Sequence, residues 1–219
     1  MNYCDRVVKP KQTRAIKPTR LVPSGVVSFR NIESIPCESP LERDFLYLIT
    51  FDPDVVEVVP QPVRLWYQGR NGRRTRYTPD FLVYYKTKRP ILAEVKPREE
   101  LQKSWVVMKP KFKEALHYAK AHSWAFRIFD EQRIRTPQLA CIKSLQPFKQ
   151  LRLGKEEIEE ACRVCKRAGR STLGRLLGEE SSLGRDLLRA AILHQVASLA
   201  LCCDMKGPVT DQTEIWGSP

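Results

Sequence analysis

Hydrophobic positions change period along the chain in a definite order. Residues 39–51, SPLERDFLYLITF, carry Leu41, Phe45, Leu48 and Ile49 at helical spacing. Ser39 is a favoured N-cap and Pro40 suits the first helical position, so a helix is predicted here. Three runs rich in β-branched and aromatic residues follow: 55–67, interrupted by Pro60 and Pro62, then 76–85 and 91–96. The loops QGRNGRR and KTKRP separate them and carry turn residues, which predicts an antiparallel meander. A helix over 98–121, with Pro110 as a candidate break, and a short strand over 125–129 complete the block. Helix, three strands, helix, strand is the order of an α/β or α+β core in three layers.

Around 146–153 the pattern changes. Helical segments are predicted over 155–168, 172–177 and 184–198, with Gly169 and Gly178 at their ends. A strand pair follows at 198–204 and 212–216. Helix, short helix, helix, hairpin is the order of a winged helix. The predicted organisation is an arm over 1–30, a core domain over 31–148 and a winged-helix-like domain over 149–219.

Composition narrows the class. A 42% hydrophobic and 29% charged chain of 219 residues is globular in character, which excludes a disordered, collagen-like or membrane-embedded protein. No stretch approaches the ~18 apolar residues of a membrane span. The first twenty residues lack the apolar core of a secretory signal, and seven cysteines in such a chain are expected to be reduced thiols in the cytoplasm. The net charge of +13 points to a polyanionic partner, most simply nucleic acid. That charge is unevenly spread: +6 on residues 1–30, +7 on 31–150 and zero on 151–219. The arm reads either as a flexible basic segment that tracks phosphates or as a solvated tail. The neutral C-terminal part suits a protein partner better than DNA.

The chemistry concentrates in Tyr77-Thr78-Pro79-Asp80-Phe81 and Ala93-Glu94-Val95-Lys96-Pro97, one predicted hairpin apart. Strand alternation points Glu94 and Lys96 to one face and Val95 to the other. Two acids and a lysine then share one small volume at the sheet edge. Two carboxylates suit a hard cation such as Mg²⁺, and a neighbouring lysine can orient an attacking water. Glu-x-Lys alone is commonly a same-face ion pair and Thr-Pro-Asp alone a turn starter, so the weight lies on their combination.

At these residues the chain resembles the PD-(D/E)xK nuclease superfamily and, more narrowly, the TnsA-type endonucleases of Tn-seven-like transposons. Ser39-Pro40-Leu41-Glu42-Arg43, Gln61-Pro62, Thr78–Val83 and Glu94–Pro97 carry the likeness, which extends over about 35–130. The resemblance implies a restriction-endonuclease-like core and Mg²⁺, with Mn²⁺ as a substitute, held by Asp80, Glu94, Glu42 and the Val95 carbonyl. It implies that Lys96 positions the water, with Gln61 in support. It further implies a bacterial enzyme that cuts the 5′, non-transferred strands of double-stranded DNA at transposon ends. Its partners would be a TnsB-like DDE transposase and a TnsC-like AAA+ regulator docking on 149–219; some such elements choose targets with a CRISPR effector. Glu42 also has capping-box spacing from Ser39, so cap and catalyst both stand for it.

Arg70, Arg73, Arg74 and Arg76, beside Trp66 and Tyr67, are candidate DNA contacts, with Lys109, Lys111 and Lys113 weaker ones. Cys162 and Cys165 are expected together on a buried helix face, and Cys202-Cys203 on opposite strand faces, which argues against zinc. His117, His122 and His194 show no metal spacing, and no Gly-rich phosphate loop is present. A stand-alone restriction or junction-resolving nuclease, and an inactive DNA-binding adaptor, are the alternatives.

Overall fold

Alternating apolar positions organise the start of the fold. In the computed structural model, residues 13, 25–29, 33–69 and 71–217 are described. Gly25–Phe29 (β1) and Glu33–Cys37 (β2) pair antiparallel, burying Val27, Ile35 and Cys37. The predicted arm over 1–30 thus ends in a strand; its remainder, Thr13 apart, lies outside the described residues. Helix α1, Pro40–Thr50, starts at Ser39 as expected, with the Ser39 hydroxyl accepting the Glu42 N–H. Then come β3 (Val55–Pro60), β4 (Leu65–Gln68), β5 (Arg74–Tyr77), β6 (Phe81–Tyr85) and β7 (Ile91–Val95). Helix α2 (Arg98–Ala121), β8 (Ala125–Phe129) and the short α3 (Glu131–Ile134) complete a compact unit, Met1–Ile134.

The expected meander is present in part. Strands β3, β6 and β7 run antiparallel in sequence, and β8 adds parallel to β7, in the order β3-β6-β7-β8. Two of the predicted runs each split in two. Gln61, at φ 46° between Pro60 and Pro62, ends β3, and Thr78-Pro79 separates β5 from β6. The pieces cut off, β4 and β5, pair as a hairpin of their own. The proline positions cannot continue a ladder, which is why one long strand becomes two.

The sheet is covered on both faces. Leu82, Tyr84, Leu92 and Phe126 pack with Phe112, Ala115 and Ala119 of α2. On the other face Phe45 of α1 stacks on Phe81 at 5.5 Å between ring centroids and meets Phe129 at 4.8 Å. Helix α2 runs unbroken through Pro110. The carbonyl that Pro110 leaves without its N–H belongs to Val106, on an exposed stretch open to solvent.

The second unit is Arg135–Pro219. It comprises α4 (Pro137–Lys149), α5 (Lys155–Ala168), β9 (Ser171–Thr172), α6 (Leu173–Leu176), α7 (Arg185–Ala197), β10 (Leu201–Cys203) and β11 (Glu214–Gly217). The three strands form one antiparallel sheet in the order β10-β11-β9. The boundary falls at 134/135, not at the 148/149 that the sequence pattern suggests. The reason is α4, which buries Leu139, Cys141, Ile142 and Leu145 and sets the Phe148 carbonyl on His194 of α7 at 2.8 Å. Cys162 is exposed and only Cys165 buried, because the buried stripe of α5 runs through Ala161, Val164 and Cys165. Burial pushes the Cys165 thiol up to about 12. Cys141 and Cys203 lie sulfur to sulfur at 3.8 Å, both buried.

Candidate active site

Strand alternation aims the site residues. Glu94 shares its face with Leu92, which packs on α2, so its carboxylate enters the α2 side of the sheet. There it is 2% exposed. The Tyr77 hydroxyl donates to its Oε2 at 2.6 Å, and the Lys111 ammonium to its Oε1 at 3.0 Å. Lys111 itself lies over the Tyr77 and Phe112 rings at 4.7 and 4.9 Å. Val95 faces the opposite way and is buried, as expected. Its N–H donates to the Asp80 Oδ2 at 2.7 Å, which ties the start of β6 to the end of β7.

Asp80 is where negative charge accumulates. Burial, then the charges of Glu94 and Glu42, hold its carboxyl well above the usual carboxylate range. The Val95 N–H and the Lys96 charge pull the other way and do not prevail. Lys96, just past β7, sits 3.6 Å from Glu100. Burial works to lower its pKa, but Glu94, Asp80 and Glu100 outweigh burial and hold the ammonium above its ordinary value.

Glu42 belongs to the same electrostatic neighbourhood, since its charge acts on Asp80 and that of Lys96 acts on it. Burial raises its pKa against the hydrogen bonds it accepts. It also caps α1: its Oε2 accepts the Glu38 N–H at 2.8 Å and its Oε1 the Ser39 hydroxyl at 3.0 Å. Gln61 supports Asp80 through the backbone, its N–H donating to the Asp80 carbonyl at 2.7 Å. The Gln61 carbonyl accepts both the N–H and the hydroxyl of Thr13, at 3.0 and 2.9 Å. The Gln61 Oε1 is buried with no partner among the described residues.

Arg73, Arg74 and Arg76 are exposed on and beside β5. Arg70 lies outside the described residues. Lys109 and Lys113 are exposed, but Lys111, expected to reach DNA, turns inward with 17% of its side chain accessible. Its ammonium lies over two rings and is committed to Glu94. What sequence reasoning missed is the pairing of Tyr77 and Lys111 with Glu94; it expects Lys111 at DNA instead. Tyr77 sits on an alternating strand, yet nothing in the spacing from Glu94 to Lys111 marks them as a pair. Among the described residues, no three of His, Cys, Asp and Glu are grouped as a metal-ligand set.

The sequence pattern places the acids at the sheet edge; the strand order puts them instead at one end of the two central strands, β6 and β7, and a mixed sheet between helices with an Asp, a Glu and a Lys so placed is the layout of a nuclease-like core. Residues 52–131 match a family model described as TnsA-like endonuclease N terminal, which supports a TnsA-type endonuclease. The matched stretch contains Asp80, Glu94, Lys96 and Lys111; Glu42 precedes it. No curated protein matches the chain. Among the described residues, no helix is long and apolar enough to cross a membrane.

Proposed function

We propose that this chain is a Mg²⁺-dependent endonuclease of TnsA type. In this reading it cuts the 5′, non-transferred strands at transposon ends, alongside a DDE transposase and an AAA+ regulator. The observation that carries the reading is the meeting of Asp80 with the end of β7, where the Val95 N–H holds the Asp80 carboxyl beside Glu94 and Lys96; burial first, then the charges of Glu94 and Glu42, push that carboxyl up. A crowd of carboxylates with too little local compensation is where a cation is electrostatically favoured. The donors are hard oxygens, and two carboxylates suffice for Mg²⁺ when waters and a phosphate complete its shell. The Lys111 ammonium on Glu94 Oε1 marks the same preference for positive charge. Asp80 and Glu94 would hold the ion, with the Val95 carbonyl as a further oxygen, and Mn²⁺ could replace Mg²⁺. The bound ion supplies Lewis acidity toward the scissile phosphate and a more acidic water.

Lys96, kept protonated at neutral pH, serves as a cation that orients the water and the phosphate rather than as a base. Glu42 stands on the helix side, where its raised pKa suits proton exchange. Arg73, Arg74 and Arg76 contact the DNA backbone. Residues 149–219 dock the AAA+ regulator as a winged-helix-like module; the order of α5, β9, α6, α7, β10 and β11 and the zero net charge of 151–219 support that role.

The test combines purified protein, transposase, regulator and DNA carrying both element ends. Nicks at the 5′ strands are expected, with Lys96→Ala reducing their rate by about 10²–10⁴. Cutting by Lys96→Ala at the wild-type rate would falsify the catalytic assignment. Cutting of linear or branched DNA by the protein alone would favour a stand-alone nuclease.

A further inference from the structure

We infer that the cleft between the β4–β5 hairpin and α2 takes one unpaired nucleotide of a DNA strand; this rests on the endonuclease reading. The cleft has a volume of about 510 Å³ and is lined by Trp66, Gln68 and Arg74 of the hairpin and Lys113, Glu114 and His117 of α2, among others. Small-molecule sites span ~300–1,000 Å³, so its size suits a nucleotide rather than a duplex.

The two walls arise from simple periodicities. On the hairpin, Trp66 pairs with Arg76 and Gln68 with Arg74, so these four side chains share one face. The diagonal pair closes up, with the Arg74 guanidinium 4.8 Å from the Trp66 ring centroid. On α2, Pro110, Lys113, Glu114 and His117 recur at i, i+3, i+4 and i+7, which is one stripe. Lys111 lies off that stripe and faces Glu94.

A duplex backbone asks only for cations. This cleft adds an indole that stays 49% exposed, with a guanidinium laid on it, and that is the surface on which an unstacked base rests. Arg74 and Lys113 suit the attached phosphates, and Gln68 and Glu114 can bond the base edge. Among the described residues, no hydrogen bond or ion pair occupies the side chains of Gln68, Lys113, Glu114 or His117. Two cations against one carboxylate favour an anionic occupant over a neutral or basic protein loop, and the exposed indole favours a base over an acidic side chain.

The experiment uses the full chain carrying Asp80→Asn, so that DNA is bound and not cut. Labelled oligonucleotides are compared by fluorescence anisotropy as a blunt duplex and as the same duplex with a short single-stranded overhang containing 2-aminopurine. Expected are tighter binding of the overhang DNA and quenching of the 2-aminopurine. Trp66→Ala should weaken overhang binding by about tenfold and blunt-duplex binding hardly at all, and Trp66→Phe should restore most of the loss. Equal binding of both DNAs, or an equal effect of Trp66→Ala on both, overturns the inference and leaves the endonuclease reading standing. Failure to bind either DNA overturns the inference, and the endonuclease reading is then judged separately by the 5′-strand nicks made together with transposase and regulator.

Discussion

Two carboxylates fourteen positions apart in the chain, Asp80 and Glu94, are held by opposite means. Glu94 is compensated: each oxygen accepts a donor, from Tyr77 and from Lys111. Removing one member of such a pair strands the other charge in low dielectric. Lys111→Met is therefore expected to cost about 3 kcal/mol in chemical denaturation, and adding Glu94→Gln should return part of it. Asp80 is under-compensated, with burial, Glu94 and Glu42 raising its pKa. A carboxyl whose folded pKa is raised binds its proton more tightly in the native state. Its contribution is favourable below the unfolded value of ~3.9 and is lost as pH rises through the folded value. Ionising this carboxyl therefore destabilises the fold. Asp80→Asn, whose amide oxygen can still accept the Val95 N–H, should raise the melting temperature at pH 7. Thermal melts should show that advantage shrinking toward pH 4; an advantage that grows on acidification would refute the assignment.

At the scale of elements, the site depends on where strands stop. β3 ends at Gln61, whose N–H then bonds the Asp80 carbonyl, so a break in one strand positions the start of another. The same break releases β4 and β5 into the hairpin that bears the arginines. In the second unit the comparable stop is Gly169, at φ 64° and ψ −150°, where α5 gives way to β9. That backbone region is essentially closed to residues with a Cβ, whatever the space around it. Gly169→Ala is expected to lose about 1–3 kcal/mol, read as a lower urea midpoint for the transition of the second unit. α4 makes a different point: its Pro137 and Pro147 disguise a helix, because one occupies the first turn and the other the last.

At the scale of the whole molecule, charge and chemistry have separate addresses. The net charge of +13 resides outside residues 151–219, which balance to zero. DNA affinity should thus be salt-dependent, with each neutralised phosphate contributing about 0.9 to the slope of log K against log salt. Replacing Arg73, Arg74 and Arg76 together by Ala is expected to reduce that slope by roughly 2–3 and to weaken binding to all sequences alike. An unchanged slope in a salt titration would remove these arginines from the interface.

Local rules read directly from the sequence account for most elements: the Ser39 cap and α1, the strand over 125–129, the helix over 155–168 and the acid pair on neighbouring strands. Each follows from residues a few positions apart, where propensity, capping and alternation act. The tertiary structure decided what depends on contacts between distant segments. It split the long β runs, assigned α4 to the second unit, exposed Cys162 and turned Lys111 from DNA toward Glu94. No period in a chain encodes which helix face will meet which strand, so the partners of Glu94 emerge only once α2 lies across the sheet.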